Sequence, residues 1–374
     1  MQVLDGHHAV QARAHAIQQI RTHIVAAGLR PGDPLPSYRE LAERLKVSLM
    51  TVKRAMEDLI REGVLVSVDR KGAFVARQIA ATRRELRTIG LLFGASRPGL
   101  VETPYRREFL YGFLRQADII KADVQFFSFW SRRGAVAPKE VARLCDGVIV
   151  LGALRASVLG EFVKEHIPMV VADFLSERLA LHHVVCDNAV LVRSAVARLQ
   201  ALQHRDLLYL GHMDQVSGNP WFAPDSDHRE RREAFQEIAR RQRASWRVCL
   251  SPPNTAGGLQ SVPLIEFLVS RRPPTAVVVD NVGMACTVVR EIESQTRLRV
   301  PRDVSVVAVA GTLGENVMPS HVVAQNAVRF REMGSRAVEC LEQRCNSLRP
   351  TRRTVERIGA DFAAGDTLGP PRAS

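Results

Sequence analysis

From Thr88 onward, short apolar runs of strand length alternate with helical stretches, and this alternation restricts the possible folds more than any other feature of the chain. The runs are TIGLLF, DVQFFSF, GVIVLG, PMVVADF, VVCD, LLYLGH, WRVCLS, TAVVVD and DVSVVAVAG. Helical patterns lie between them, at Tyr105 to Gln116, Ala189 to Leu202, Glu230 to Arg241 and Val282 to Ile292. Strands that are apolar almost throughout belong to parallel sheets covered on both faces. About nine such strands over roughly 280 residues predict two α/β lobes. Ligands of such sheets sit beyond the carboxyl ends of the strands, so the expected site is a cleft between the lobes.

Residues before Thr88 follow a different pattern. Ile17, Ile20, Ile24 and Ala27 have helical spacing, which predicts a helix from Ala9 to about Ala27, ended by Gly28 and RPGD. Ser37-Tyr38-Arg39-Glu40 is an S-x-x-E capping box, so a second helix starts near Tyr38 and faces inward through Leu41, Ala42 and Leu45. Ser48 is a natural N-cap for a third helix that buries Val52, Ala55, Met56 and Leu59. Gly63 closes that helix. Two β-prone runs, VLVSV and AFVA, follow and are joined by DRKG, which predicts a small hairpin. Three helices and a hairpin make a winged helix-turn-helix. The expected division is a winged helix over residues 1–76, a polar, basic linker over 77–87, and a two-lobed α/β domain over 88–374.

Composition limits the partners. The 374 residues carry a formal net charge of +13, which favours polyanionic partners. The N-terminal 78 residues hold 12 Lys and Arg against 8 Asp and Glu, so basicity alone does not single out the winged helix. Six cysteines are scattered without C-x-x-C spacing, which predicts reduced thiols and neither a disulfide framework nor a zinc site. No apolar run reaches the roughly 18 to 20 residues of a membrane span, and no signal peptide opens the chain, so a cytoplasmic location is expected. Neither His7-His8, His182-His183 nor the stretch Asp225 to His228 has converging ligand spacing, and no metal is expected. Nucleotide, nucleophile and metalloprotease motifs are missing as well. No cofactor and no enzymatic activity are therefore expected.

The first 76 or so residues resemble the GntR-type bacterial regulators, through LPSYRELAERLKVS followed by TVKRAMEDLIREGVLVSVDRKGAFVA. Thr88 to Asp366 resembles the effector domain of LacI/GalR-type regulators, a type I periplasmic-binding-protein fold. The pieces that carry this second likeness are CDGVIVLGA, IPMVVADF, VVCDNAVLVRSAVARL, RERREAF and RRPPTAVVVDNVGMA leading into LRVPRDVSVVAV. Chains joining two such parts are similar to the sugar-responsive branch of the GntR family. The resemblance implies a homodimeric regulator, a repressor of a carbohydrate-related operon, bound to double-stranded operator DNA. A small molecule would close the lobes and shift the spacing of the DNA-binding heads.

A recognition helix must enter a major groove about 12 Å wide while neighbouring groups fix it to phosphates. Leu49, Met50, Lys53, Arg54, Glu57 and Asp58 are expected on the outward face of the third helix, basic only in its first half. Ser48 and Thr51, with the exposed amides of the helix start, can hold a phosphate oxygen. The resemblance adds Arg39 and Lys53 as DNA contacts and Gly72 as the wing glycine near the minor groove, with Arg70 and Lys71 before it. It also places an arginine where this chain has Leu49. Two readings of Leu49 and Met50 stay open: they touch thymine methyl groups, or they pack against the second helix.

In the cleft, the resemblance assigns Arg231 to ligand binding and matches Asn281 to the asparagine of an N-D pair whose aspartate is Val282 here. Two further acids of the family are Ala310 and Gly311. Such a site, with Arg231 and Arg97 or Arg106 as its charged groups, would suit a sugar or an anionic sugar derivative. Alternatively Arg231 pairs with Asp225, Asp227 or Glu230 and holds no ligand, leaving a DNA-binding protein with an idle cleft. Asp173, after the strand MVVA, and Trp221, in the loop GNPWFAPD, complete the candidates. A turn cap explains Asp173 equally well, and loop packing explains Trp221.

Overall fold

The computed structural model describes residues 2–29, 32–68, 72–76, 86–94, 97–129, 136–165, 167–176, 179–213, 226–244, 246–251, 262–346 and 353–372. The chain forms two compact units, one of Met1–Glu85 with Gln343–Thr351, the other of Leu86–Glu342 with Arg352–Ser374.

In the first unit, helices α1 (Gln2–Ala26), α2 (Tyr38–Leu45) and α3 (Leu49–Arg61) precede strands β1 (Leu65–Val68) and β2 (Gly72–Val75). This is the expected winged helix, with α1 beginning at Gln2 instead of near Ala9. Both parts of the Ser37/Glu40 capping box form, and Ser48 caps α3 by accepting from the Thr51 amide. Ala16, Ile20 and Ile24 of α1 pack with Leu41 and with Val52, Ala55, Met56 and Leu59 of α3. Each large side chain buried there contributes roughly 1.5–3 kcal/mol. β1 and β2 pair antiparallel, Leu65 opposite Val75 and Val68 opposite Gly72. The segment before α2 is stitched to the wing: Gly32 and Leu35 amides donate to Val75 and Ala73 carbonyls at 2.9 and 2.8 Å.

The second unit begins with β3 (Thr88–Phe93), α4 (Arg97–Glu102), α5 (Pro104–Ile119), β4 (Asp123–Ser128), α6 (Pro138–Leu144), β5 (Gly147–Leu151), α7 (Ala156–Lys164), β6 (Met169–Ala172) and β7 (His182–Cys186). It continues through α8 (Asn188–Ala201), β8 (Leu207–His212), α9 (Ser226–Arg241), β9 (Arg247–Ser251), α10 (Val262–Leu268), β10 (Ala276–Asn281), α11 (Val282–Gln295) and β11 (Ser305–Gly311). Last come β12 (Ala324–Val328), α12 (Phe330–Asn346), β13 (Thr354–Ile358) and β14 (Ala360–Ala363). One lobe holds a parallel six-stranded sheet in the order β13-β7-β6-β5-β3-β4. The other holds β14-β12-β11-β10-β8-β9, parallel except for β14 on β12.

All nine anticipated strands are present. β12 escapes the apolar pattern because Gln325 and Asn326 lie inside it. Both are buried, and their amide groups donate to Thr312, Leu191 and Val309 carbonyls at 2.8–3.0 Å. β13 and β14 are short edge strands with polar residues and carry little periodicity.

Crossings from lobe to lobe occur between β7 and α8, between β12 and α12, and between β13 and β14. At the first, the Asp187 amide donates to Ile358 O at 3.0 Å. α12 returns to the first lobe and crosses α5 closely. A Cβ on Gly334 would lie 2.1 Å from Phe109 O, and one on Gly112 would lie 1.9 Å from Arg331 O, so both positions exclude a side chain. Among the described residues no helix is long and apolar enough to cross a membrane.

Candidate functional site

Two regions gather the side chains singled out from sequence. On the first unit, the start of α3 presents Leu49 at 48% and Met50 at 58% exposure, so neither is a core residue. Lys53, Arg54 and Glu57 are exposed on the same helix, as is Arg39 on α2. The Ser48 and Thr51 hydroxyls bond each other at 2.8 Å, and Ser48 Oγ accepts from the Thr51 amide at 3.1 Å. The α3 start thus carries a formed cap with the positive end of the helix dipole behind it. Gly72 is exposed at φ +99°, a backbone setting that favours glycine, while Lys71 lies outside the described residues.

Asp58 corrects the expected outward face. Its carboxylate is buried against α1, where the Arg13 guanidinium donates to both oxygens and Arg61 adds a bond at 3.0 Å. The Arg13 hydrogen bonds outweigh burial and hold the Asp58 carboxyl below the usual range. The partner lies 45 residues upstream, so helical spacing alone misplaces this side chain.

In the second unit, a cavity of about 320 Å³ opens between the lobes. Thr103 and Tyr105 at the start of α5, Asp173 after β6 and Phe330 of α12 line it from one lobe. From the other lobe come His212 at the end of β8, Asp227, His228 and Arg231 of α9, Asn281, and Ala310 and Gly311 of β11. These are carboxyl ends of parallel strands and amino ends of helices, the expected place for a ligand. The volume falls at the low end of the range for small-molecule sites.

Arg231, Asn281 and Asp173 therefore converge, and Trp221 lies outside the described residues. Arg231 is buried in a dense network. Its Nε donates to Asn188 Oδ1 at 2.9 Å, its Nη2 to Asp227 Oδ2 at 3.3 Å and its Nη1 to Asp280 O at 3.3 Å. Asp280, fully buried, also accepts from the Tyr209 hydroxyl at 2.7 Å and pairs with His228 Nδ1. Burial by itself would raise the Asp280 pKa, but Arg231, His228 and Tyr209 overcome it and hold the carboxyl well below its usual value. Burial likewise opposes the charge on Arg231, and Asp280 and Asp227 restore it and push its pKa upward. Burial, and then the nearby Asp280 charge, push the Tyr209 phenol up.

The pairing with Asp227 is one of those open from sequence, and the pairing with Asp280 is new. Asn281 caps α11, its Oδ1 accepting from the Met284 amide at 2.9 Å, while still lining the cavity. Asp173 adopts φ +59° at its strand end. The expectation of a cleft charged by arginines needs correction. Arg106 does not line the cavity and the Arg97 side chain lies outside the described residues, whereas Asp173, Asp227 and Glu315 do line it. Asp280 and His212 went unnoticed in the sequence, and His228 was weighed there only as a metal ligand. A carboxylate continuing the buried run AVVV was the available signal for Asp280. Asp173, Cys186 and Asp227 bring potential ligand atoms within 4.8 Å of one another. The pair His182 and His183 diverges, as neighbours on a strand do: His182 faces Thr354, and His183 Nε2 accepts from the Ser176 amide.

A capped helix with an exposed face beside a two-stranded wing, and a two-lobed α/β fold with an interlobe cavity, define a class that joins a winged helix-turn-helix to a periplasmic-binding-protein-like domain. Residues 12–75 match the family of bacterial regulatory proteins called gntR, and residues 196–368 match the periplasmic binding protein-like domain. The first module is thus of the gntR type.

Among curated relatives, the HTH-type transcriptional repressor NagR of Bacillus subtilis is 41% identical over 61 residues, 16% of this chain and 25% of that protein. The arabinose metabolism transcriptional repressor of Geobacillus stearothermophilus is 29% identical over 75 residues, 20% of this chain and 21% of that protein. The chain therefore spans a quarter or less of the length of these two relatives. A LacI transcriptional regulator from a Rhodococcus species aligns at TM-score 0.61 and 22% identity, covering 76% of this chain and 99% of that one. The transcriptional regulator CelR–cellobiose complex aligns at TM-score 0.62 and 15% identity, covering 89% and 100%. The lac repressor dimer bound to operator and the anti-inducer ONPF aligns at 0.59 and 17%, covering 75% and 94%. At these identities the likeness is one of fold, the LacI-type periplasmic-binding-protein fold.

Proposed function

We propose that the protein is a DNA-binding transcription regulator, a repressor of a carbohydrate-related operon, controlled by a small molecule held between the lobes. The observation that carries this reading is the outward half of α3. Leu49, Met50, Lys53 and Arg54 are exposed there on a capped helix of a gntR-type module. Lys53, Arg54 and Arg39 anchor phosphates, and the helix start supplies further amide donors. Leu49 and Met50 contact thymine methyl groups in the major groove. Gly72 with Lys71 brings the wing to the adjacent minor groove.

Two copies of the chain form a homodimer and read a palindromic operator. The effector binds against Arg231, Asn281 and Asp173 and favours one lobe arrangement over the other. That difference in affinity is all that coupling to the operator requires. The repressor names of the two curated relatives support repression, and the arabinose name of one of them with the cellobiose-bound structural neighbour supports a carbohydrate-related role. The protein acts in the cytoplasm and is not an enzyme, its carboxylates serving ion pairs and ligand recognition. Selection of bound fragments from genomic DNA at physiological salt tests the reading. A shared palindrome among the enriched fragments supports it, and enrichment without a common sequence overturns it.

A further inference from the structure

The charge balance of the interlobe cavity points beyond a generic carbohydrate. Among the described residues its wall carries the carboxylates of Asp173, Asp227 and Glu315, with Asp280 directly behind Arg231. Arg231 is the only guanidinium among the described lining residues, and it is committed to Asp227 and Asp280. Among the described lining residues, three carboxylates stand against one guanidinium and two imidazoles. Asp173 and Asp227 come from opposite lobes, with carboxylate oxygens within 4.8 Å of each other. Two like charges at that separation favour a cation placed between them.

A second observation concerns hydrogen bonding. Gln325 is buried, its amide nitrogen donates to Thr312 O at 2.9 Å, and its Oε1 has no hydrogen-bond partner among the described residues. That oxygen lies 1.9 Å from where a Cβ of the cavity-lining Gly311 would stand. Gln325 does not itself line the cavity, so this unpartnered acceptor lies in the wall behind Gly311. The cavity is far larger than a metal ion, and the paired rings of Tyr105 and Phe330, 5.4 Å apart, supply an apolar face for an organic body. The Tyr105 ring also carries the Arg106 guanidinium, 5.3 Å from its centroid.

We propose that the cavity recognises a hydroxylated sugar ring bearing a protonated amine, with the ammonium group set between Asp173 and Asp227 and within reach of Glu315. The proposal rests on the effector reading above and names the chemistry of the ligand. A neutral sugar forgoes the charge-assisted bonds, and a sugar phosphate meets like charge.

Calorimetry on the full chain with matched hexoses tests it: glucose, galactose and mannose, each as the neutral sugar, the 2-amino sugar and the 6-phosphate. The amino form of a bound skeleton should bind about tenfold more tightly than its neutral form, equivalent to about 1.4 kcal/mol. Asp173→Asn and Glu315→Gln should each cut that advantage several-fold, read as the ratio of amino-sugar to neutral-sugar affinity within each variant. Asparagine tolerates the left-handed backbone at 173, so the first variant keeps the fold. A neutral or phosphate form that binds as tightly as the amine, an amine advantage that persists in both variants, or no binding of any amino form would overturn the proposal. So would Mg²⁺, Ca²⁺ or Zn²⁺ alone raising the melting temperature of the wild type and not of Asp173→Asn. Failure of the effector reading looks different: neither this panel nor a cell metabolite extract changes affinity for the selected DNA.

Discussion

Leu49 stands where the resemblance to GntR-type regulators implies an arginine, and its exposure and that of Met50 make both surface for contact instead of core. In the proposed complex they read shape and methyl groups while Lys53 and Arg39 hold phosphate. The two roles separate on mutation. Lys53→Ala and Arg39→Ala should weaken binding to all sequences alike and lower the slope of log K against log salt by about one each. Leu49→Arg should change which base is preferred with little change in salt slope, and an unaltered preference in a selection experiment would contradict the assigned contact. Asp280 plays a different part, balancing Arg231 inside the second unit. Asp280→Ala leaves that guanidinium buried with one carboxylate partner fewer, and chemical denaturation should report a loss of about 3–5 kcal/mol. A loss below about 1 kcal/mol would show that the network is not needed for the fold. Sequence reasoning found Arg231 but not Asp280, because their meeting depends on a contact 49 residues apart. A capping residue or the i,i+4 pair of Arg231 with Asp227 is legible from its neighbours, and an ion pair between distant elements is not.

Local chemistry made the elements of the first unit readable. The capping box, the Ser48 cap and the spacing of Val52, Ala55, Met56 and Leu59 all act within a few residues, and the helices form where they point. Less visible was what ties α1 to α3. Asp58, on α3, holds Arg13 of α1, and Arg21 of α1 pairs with Glu62 just beyond α3. Because the folded Asp58 carboxyl titrates below its unfolded value, its contribution is fully present above the ordinary carboxylate pKa of about 3.9 and is lost as pH falls through the lower folded pKa. Asp58→Asn should therefore lower the melting temperature at pH 7, and the gap to wild type should close on acidification below about pH 4. An equal gap at pH 7 and pH 3 would rule out the ion pair as its cause. In the second unit, apolar runs revealed nine strands, seven of them largely buried and the edge strands β4 and β9 only partly so. β12 was hidden by Gln325 and Asn326, whose burial is offset by hydrogen bonds to distant backbone. β13 and β14 have too little apolar periodicity to be seen.

For the whole molecule, the class of fold could be read from the chain, whereas the charge of the cleft could not. Losing the acids expected at 282, 310 and 311 suggests a cleft left to its arginines. In the folded protein Asp227, Asp280 and Glu315 enter from other elements, and Arg231 is absorbed among them. The proposed function depends on one property, sequence-specific DNA binding that a small ligand can alter. Fluorescence anisotropy of the full-length protein on the palindrome recovered by selection, beside a scrambled duplex at physiological salt, measures it directly. The account predicts an affinity at least about 10³-fold higher for the palindrome, and a shift in that affinity when the ligand that binds the cavity is added. Equal affinity for both duplexes, unchanged by any ligand that binds the second unit, would contradict it.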